Sequence, residues 1–181
     1  MRTLLLRSLL ARPVTVEAPT PDALPSEDAL LTELGKALEQ RARRLFGRSI
    51  TIREVDAGSC NGCELEIHAL NNAIYDVERF GIKFAASPRH ADVLLVTGPV
   101  SHNMKVALER TYAATPDPKW VVAVGDCAAG CGAFASSYAT VGSVAKVIPV
   151  DLTIAGCPPR PIELLKGLIA LMDRATSKAA G

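Results

Sequence analysis

Long hydrophobic runs are absent from this chain of 181 residues. No apolar stretch approaches the roughly 18–20 residues that a bilayer-spanning helix needs, so any membrane contact would come through partners or a surface helix. A surplus of one charge is lacking too. The formal net charge is +1, and no global field points to nucleic acid. Aromatic residues are only 4% of the total, which leaves Ala, Val, Leu and Ile to fill the interior. Neither a Ser/His/Asp nucleophile set nor a Gly-x-Gly-x-x-Gly nucleotide fingerprint is present, and no internal repeat is visible. Cysteine is sparse and odd in number, at five residues. An odd count fits poorly with a fully paired secreted framework. Beside glycines in an alternating strand–helix pattern, these cysteines read better as an intracellular metal or redox site.

What is present is apolar material, 49% of the chain, enough for one substantial core in a length too short for two comfortable domains. Residues 1–26 read as an N-terminal extension and Pro-rich linker, 27–48 as an amphipathic helix, 49–175 as the main domain and 176–181 as a frayed tail. Arg7 interrupts the apolar start and argues against a secretory segment. For residues 1–12 three readings stay open: an amphipathic surface helix, an organelle transit peptide and an inert terminus. Pro13, Pro19, Pro21 and Pro25 mark an extended linker. Ser26 is placed to cap a helix in which Leu31, Leu34, Leu38, Ala42 and Leu45 recur at helical spacing. Arg41, Arg43, Arg44 and Arg48 gather at its end. There they complement the helix dipole, or meet an anionic surface or acidic partner.

From residue 50 the pattern alternates. Strands are predicted over 50–55, 82–86, 92–97 and 120–124, with a last extended segment over 147–154. Pro149 suits the beginning of that segment or a bulge. Helices are predicted from Glu64 to about Arg79, with Ile67, Leu70, Ile74 and Val77 on one face, over 101–114, and from Pro161 onward. Gly81 is placed to close the first of these. Such alternation implies an α/β fold with an open, doubly wound, mostly parallel sheet. Ligands in that architecture sit outside the carboxyl ends of the strands.

The cysteines fall at those ends. Cys60 and Cys63 follow the first strand, Cys127 and Cys131 the strand 120–124, and Cys157 the last extended segment. All three groups should therefore open on one edge of the sheet. Four thiolates there would suit a structural zinc or an iron–sulfur cluster, and a Cys-x-x-Cys pair could also be a redox dithiol. Zinc knuckles usually staple small folds without a core, and zinc would leave the lone Cys157-Pro158 unused. These points favour a [4Fe–4S] cluster. Gly58, Gly62, Gly125, Gly130 and Gly156 would let backbone approach such a group and turn N–H groups toward sulfur, unless they are ordinary tight turns. Pro158 and Pro159 stiffen the last loop.

Several ordered stretches carry a family resemblance. They are Cys60-Asn61-Gly62-Cys63-Glu64-Leu65-Glu66-Ile67, Glu78-Arg79-Phe80-Gly81-Ile82-Lys83, the run from Ser87-Pro88-Arg89-His90 to Gly98, Gly125-Asp126-Cys127-Ala128, and Ile148-Pro149-Val150-Asp151 through Gly156-Cys157-Pro158-Pro159-Arg160-Pro161. Over about residues 50–173 the chain resembles the small, electron-transferring subunit of [NiFe] hydrogenases, above all the membrane-bound, energy-converting group that includes formate hydrogenlyase. It is also similar to the equivalent cluster-carrying subunit, the B-type one, of NADH–quinone oxidoreductase (respiratory complex I). The resemblance implies a flavodoxin-like fold holding one [4Fe–4S] cluster on Cys60, Cys63, Cys127 and Cys157, next to a large [NiFe]-type catalytic subunit. It implies further a ferredoxin-like iron–sulfur subunit, membrane-embedded ion-translocating subunits, and a cytoplasmic location peripheral to the inner face of the cell membrane. Cys131 falls outside the four-ligand pattern, as a spare core thiol or an alternative third ligand. The complex I subunit carries adjacent cysteines where this chain has a two-residue gap, which favours the hydrogenase branch. A complex I-type or nickel-free partner stays as the alternative.

Three further residues are candidates near such a cluster. Glu64 and Glu66 open a helix after Cys63, where carboxylates are favourable, or where they relay protons or hydrogen bonds at the catalytic subunit. The likeness to complex I favours Glu66. Arg89 is expected near the cluster, tuning it electrostatically, or in a solvated turn. His68 and His102 are expected to pack or face solvent rather than ligate metal.

Overall fold

The strand Ile50–Asp56 (β1) lies at the heart of the molecule because its residues serve two cores at once. The computed structural model describes residues 27–179; the extension, its proline linker and the Ser26 cap lie outside them. The chain divides after Leu30 into two units, and everything below concerns the second, apart from the first residues of the helix Glu27–Phe46 (α1). In chain order there follow β1, α2 (Gly62–Ala69), β2 (Ile82–Phe84), β3 (Val93–Thr97), β4 (Val100–Ser101) and α3 (His102–Ala114). The rest are β5 (Trp120–Val124), the short α4 (Asp126–Ala129), β6 (Thr140–Gly142), β7 (Leu152–Ile154) and α5 (Pro161–Ala179).

Five strands form one sheet in the order β2-β1-β3-β5-β7, every neighbouring pair parallel. Counting only these strands, the order is 2-1-3-4-5, the flavodoxin-like arrangement, whose order reverses between β1 and β3. Alternate side chains of each strand enter opposite cores. Val93 and Leu95 of β3, with Ile50, Ile52, Val122 and Val124, pack against Leu38 of α1, Ile67 of α2 and Leu164, Leu165 and Leu168 of α5. Leu94 and Val96, with Val121 and Ala123, pack against Leu108 of α3, Ala128 and Val144. Because both faces are covered, β3 is buried along its whole length and reads as a continuous apolar run.

Two departures from the sequence pattern have local causes. The helix expected to reach Arg79 stops at Ala69 and resumes as a single 3-10 turn, Val77–Phe80. Asn72 ends it: its side-chain oxygen accepts from the N–H groups of Ile74 and Tyr75, both at 2.9 Å, an Asx turn that competes with helix. Ile67, Leu70 and Val77 are buried as expected, but Ile74 is left 66% exposed. The last strand is only Leu152–Ile154, because Val144–Lys146 form a 3-10 turn and Pro149 lies before the ladder begins. An antiparallel pair, β4 with β6, has no counterpart in the sequence pattern. Its strands are two and three residues long, too short for a periodicity to register.

At the amino edge of the sheet, Asp92 ties three elements together. Its carboxylate accepts from Arg48 at 2.7 and 3.0 Å and from the Thr51 N–H at 2.9 Å, while its carbonyl accepts from the Trp120 N–H. Phe46 then meets Trp120 edge to face at 5.2 Å. Asp92 is only 7% exposed, so removing its carboxylate strands the Thr51 amide. Asp92→Ala is expected to lower stability by about 2–3 kcal/mol in urea unfolding. Arg43→Ala, which breaks the exposed pair with Glu39, should cost less than about 0.5 kcal/mol.

Candidate metal centre

Parallel strands send their carboxyl ends to one edge, so the loops after β1, β5 and β7 all emerge there. The first is shaped by Asp56, whose Oδ1 accepts from the Gly58 and Ser59 N–H groups at 2.7 and 2.8 Å. Asn61 takes a left-handed φ of 70° and turns the chain into α2. The other two loops are bound to each other. The Gly156 N–H donates to Asp126 Oδ1 at 2.8 Å, and the Asp126 N–H donates to the Gly156 carbonyl at 2.9 Å.

Between them lies a cavity of about 100 Å³ lined by Cys60, Cys63, Cys127 and Cys157, together with Asp126, Pro158 and neighbouring glycines. Thus four of the five thiols, from three separate loops, face one small space. Gly125 is required there on two counts. Its φ is 90°, and a Cβ would stand 2.6 Å from the Cys63 sulfur. Cys131 does not line the cavity; its thiol donates to the Asp126 carbonyl at 3.4 Å. Nor is it a core thiol, because the turn that follows α4 leaves it exposed. His68 and His102 are exposed and also lie outside the lining. All five cysteines are free thiols.

The thiols act on one another. Burial pushes the Cys63 thiol up to about 12, with Glu64, Cys60, Cys127 and Cys157 adding to the rise. Burial also raises Cys127, and Cys157 and Cys60 raise it further, while the amides of Phe134 and Ala133 oppose them. Crowded thiols resist becoming thiolates, and a cation or cationic cluster relieves that resistance. The donor set is soft sulfur, and Asp126 Oδ1 is already engaged by the Gly156 amide. Among the described residues no three His, Cys, Asp or Glu side chains draw together tightly enough for a single metal ion. A tetrahedral zinc would need its sulfurs within about 2.3 Å of one centre. A cavity lined by four sulfurs from three loops has the donor chemistry that a thiolate-held inorganic group would use.

Of the acidic candidates, Glu64 is buried at 5% exposure with neither carboxylate oxygen hydrogen-bonded. Glu66 is half-buried and outside the cavity lining. Sequence reasoning missed Glu54. Its pKa is raised, chiefly by burial and further by Glu64, and is held down by His68, whose Nε2 lies 3.4 Å from Glu54 Oε2. Only its inward register on β1 could have signalled it. Arg89 is a correction. It precedes β3, whereas the cysteines follow β1, β5 and β7, so it lies at the opposite edge of the sheet, in a groove with Arg48, His90 and Asp92.

Two pH effects follow in the metal-free chain. A thiol raised in the folded state keeps its proton where the unfolded chain loses it. Stability is therefore intact below the ordinary thiol value of 9.0 and drains away as pH rises toward about 12. Thermal unfolding across that range should show the decline. At pH 8, alkylation followed by mass spectrometry should find Cys63 the slowest thiol, with exposed Cys60, Cys131 and Cys157 ahead of it.

Known proteins are similar to this chain along most of its described length. Residues 60–171 match the family described as NADH ubiquinone oxidoreductase, 20 Kd subunit. The chain is 44% identical over 149 residues to the probable membrane-bound hydrogenase subunit of Pyrococcus furiosus, covering 81% of this chain and 89% of that protein. It is 46% identical over 120 residues to formate hydrogenlyase subunit 7 of Escherichia coli, covering 66% of this chain and 47% of that one. Identity is also 46%, over 113 residues, to an NADH-quinone oxidoreductase B-type subunit of Herpetosiphon aurantiacus, covering 62% of this chain and 63% of that protein. Among solved structures, a chain of the membrane-bound sulfane sulfur reductase, an archaeal respiratory membrane complex, superposes with a TM-score of 0.65 at 37% identity, covering 80% of this chain and 78% of that one. With the family matched across more than half of its length, the protein belongs to the family of the 20 Kd subunit of NADH ubiquinone oxidoreductase.

Proposed function

We propose that the protein is an electron-transfer subunit holding one [4Fe–4S] cluster on Cys60, Cys63, Cys127 and Cys157, next to the catalytic large subunit of a membrane-associated [NiFe] hydrogenase-type complex. The observation that carries this reading is the convergence of four thiols from three loops on one cavity of about 100 Å³. Such a cluster, when bound, takes up and releases single electrons. This chain's residues do the holding. Asp126 locks the Cys127 loop to the Cys157 loop, and Gly125 leaves room for the Cys63 sulfur. The cavity is lined by the four thiols and by Asp126, whose Oδ1 is already engaged, and in this reading hydrogen chemistry falls to the large partner. Glu64 suits a hydrogen-bonding or relay role near Cys63 better than Glu66, because its two oxygens are buried without a partner.

The two-residue gap between Cys60 and Cys63 supports a hydrogenase-type partner, formate hydrogenlyase-like and energy-converting, and so does the hydrogenase subunit that matches over 81% of the chain. A ferredoxin-like iron–sulfur subunit and membrane-embedded ion-translocating subunits complete the proposed complex, at the cytoplasmic face of the cell membrane. No described helix is long and apolar enough to cross a membrane, which is consistent with attachment through partners. A second reading keeps the cluster but gives it a quinone-reducing or nickel-free partner. It draws on the 46% identity to an NADH-quinone oxidoreductase chain and on the likeness to the sulfane sulfur reductase chain. Two Cys-x-x-Cys pairs in the large partner would favour the first reading, and their absence the second.

Anaerobic reconstitution of the full chain with iron and sulfide, followed by low-temperature EPR, tests the core of this assignment. Dithionite should produce a reduced-cluster signal that disappears in Cys60→Ser, Cys63→Ser, Cys127→Ser and Cys157→Ser and survives in Cys131→Ser. Stoichiometric zinc without iron would sink both readings.

A further inference from the structure

Arg89, set by strand direction at the edge away from the thiols, opens on a groove of about 310 Å³ that it shares with Arg48, His90, Ala91, Asp92 and Pro116. One wall is the 3-10 turn Pro88–His90. Its backbone is closed on itself. Ser87 Oγ accepts from the Arg89 N–H at 3.4 Å, and the Ser87 and Pro88 carbonyls accept from the His90 and Ala91 N–H groups at 3.3 and 3.1 Å. Its side chains are not tied down. Among the described residues neither the Arg89 guanidinium nor the His90 ring has a hydrogen bond or an ion pair, and both residues are exposed.

The facing cation, Arg48, is held in place. Its Nη1 donates to Asp92 Oδ2 at 3.0 Å and to the Ser49 carbonyl at 3.1 Å, and its Nη2 donates to Asp92 Oδ1 at 2.7 Å. A guanidinium carries five N–H groups in a rigid fork, so the Nε–H and one Nη2–H are left over. The side chain stays 58% exposed, so a ligand can reach it. Asp92 does not compete for these donors, because both its oxygens are engaged by Arg48 and the Thr51 N–H. Among the described residues no other carboxylate lines the groove. Asp117, just beyond Pro116, has Lys119 Nζ at 3.6 Å.

We propose that this groove is an anion site for a phosphate group, held between the free donors of Arg48 and the Arg89 guanidinium, with His90 beside them. It lies at the opposite edge of the sheet from the cysteines and stands whether or not the electron-transfer reading holds. Guanidinium groups from two walls suit a tetrahedral oxyanion, whose oxygens accept from several directions. A planar carboxylate is satisfied by a single fork, as Asp92 already is by Arg48. The volume suits one small ligand rather than a stretch of protein chain. A phosphate ester of that size comes on a phospholipid headgroup or on a soluble compound.

NMR of the full chain, titrated with inorganic phosphate against chloride at equal ionic strength, tests the site. Phosphate should give saturable shifts at the amides of Arg48, Arg89, His90 and Ala91. Arg89→Ala should weaken binding about tenfold, with an unfolding midpoint in urea equal to that of the wild type. Lys166→Ala, which removes an exposed charge on α5, should leave binding unchanged. An absence of saturable shifts, or equal affinity in Arg89→Ala and the wild type, would overturn the inference. Tighter binding of succinate than of phosphate would overturn it too, and point to acidic protein side chains instead. Two further arms separate the sources. Cosedimentation with phosphatidylglycerol vesicles, lost in Arg89→Ala and absent with phosphatidylcholine vesicles, assigns the lipid headgroup. Arg89-dependent binding of glycerol 3-phosphate without vesicle capture assigns a soluble ester.

Discussion

A parallel ladder is a directional constraint. Once β1, β3, β5 and β7 are hydrogen-bonded in one sense, every chain leaving them leaves from the same edge. The loops carrying Cys60 and Cys63, Cys127, and Cys157 therefore share one edge, where they meet around one cavity although up to 97 residues separate them along the chain. The reversal of strand order between β1 and β3 opens the crevice into which they turn. Everything distinctive about the site follows from that placement, including the need for Gly125 and the reciprocal bonds between Asp126 and Gly156.

Convergence has an electrostatic cost that the fold carries. Burial, and after it the neighbouring thiols that face the same small cavity, make Cys63 and Cys127 harder to ionise. Such an arrangement gains nothing for the isolated chain. A positively charged metal group in place of the protons, as proposed above, would relieve that cost. Glu64 sharpens the point. Its buried carboxyl group has no hydrogen-bonding partner among the described residues and adds to the rise at Cys63. The amides over Cys127 work in the opposite direction, offsetting the crowding at a single sulfur.

The two edges of the sheet divide the labour. The carboxyl edge collects soft donors around a small cavity. The amino edge collects guanidinium groups around Asp92, which is buried, hydrogen-bonded and structural. Arg89 belongs to this second edge. Its closeness in sequence to the buried strand β3 gives no sign of which end of the strand it occupies relative to the cysteines. Strand direction settles that, and it places Arg89 a full strand length from them.

By itself the sequence determined the alternation of strands and helices, the burial of β3, the left-handed stop at Gly81 and the edge on which the thiols appear. Those features are local: an apolar run, a glycine that accepts a left-handed turn, a loop that must follow its strand. It also determined the family, through short motifs in a fixed order. Only the tertiary structure decided that the helix after Cys63 yields to an Asx turn at Asn72, since that contest is between one side chain and the backbone. The family resemblance already set Cys131 apart from the other four thiols, but only the tertiary structure showed it exposed and tied to the Asp126 carbonyl outside the cavity, because an extra residue or two within a loop sets a direction that spacing does not encode. The surroundings of Glu54 likewise depend on which surfaces meet across the sheet, and contacts between distant residues leave no periodic trace in the chain.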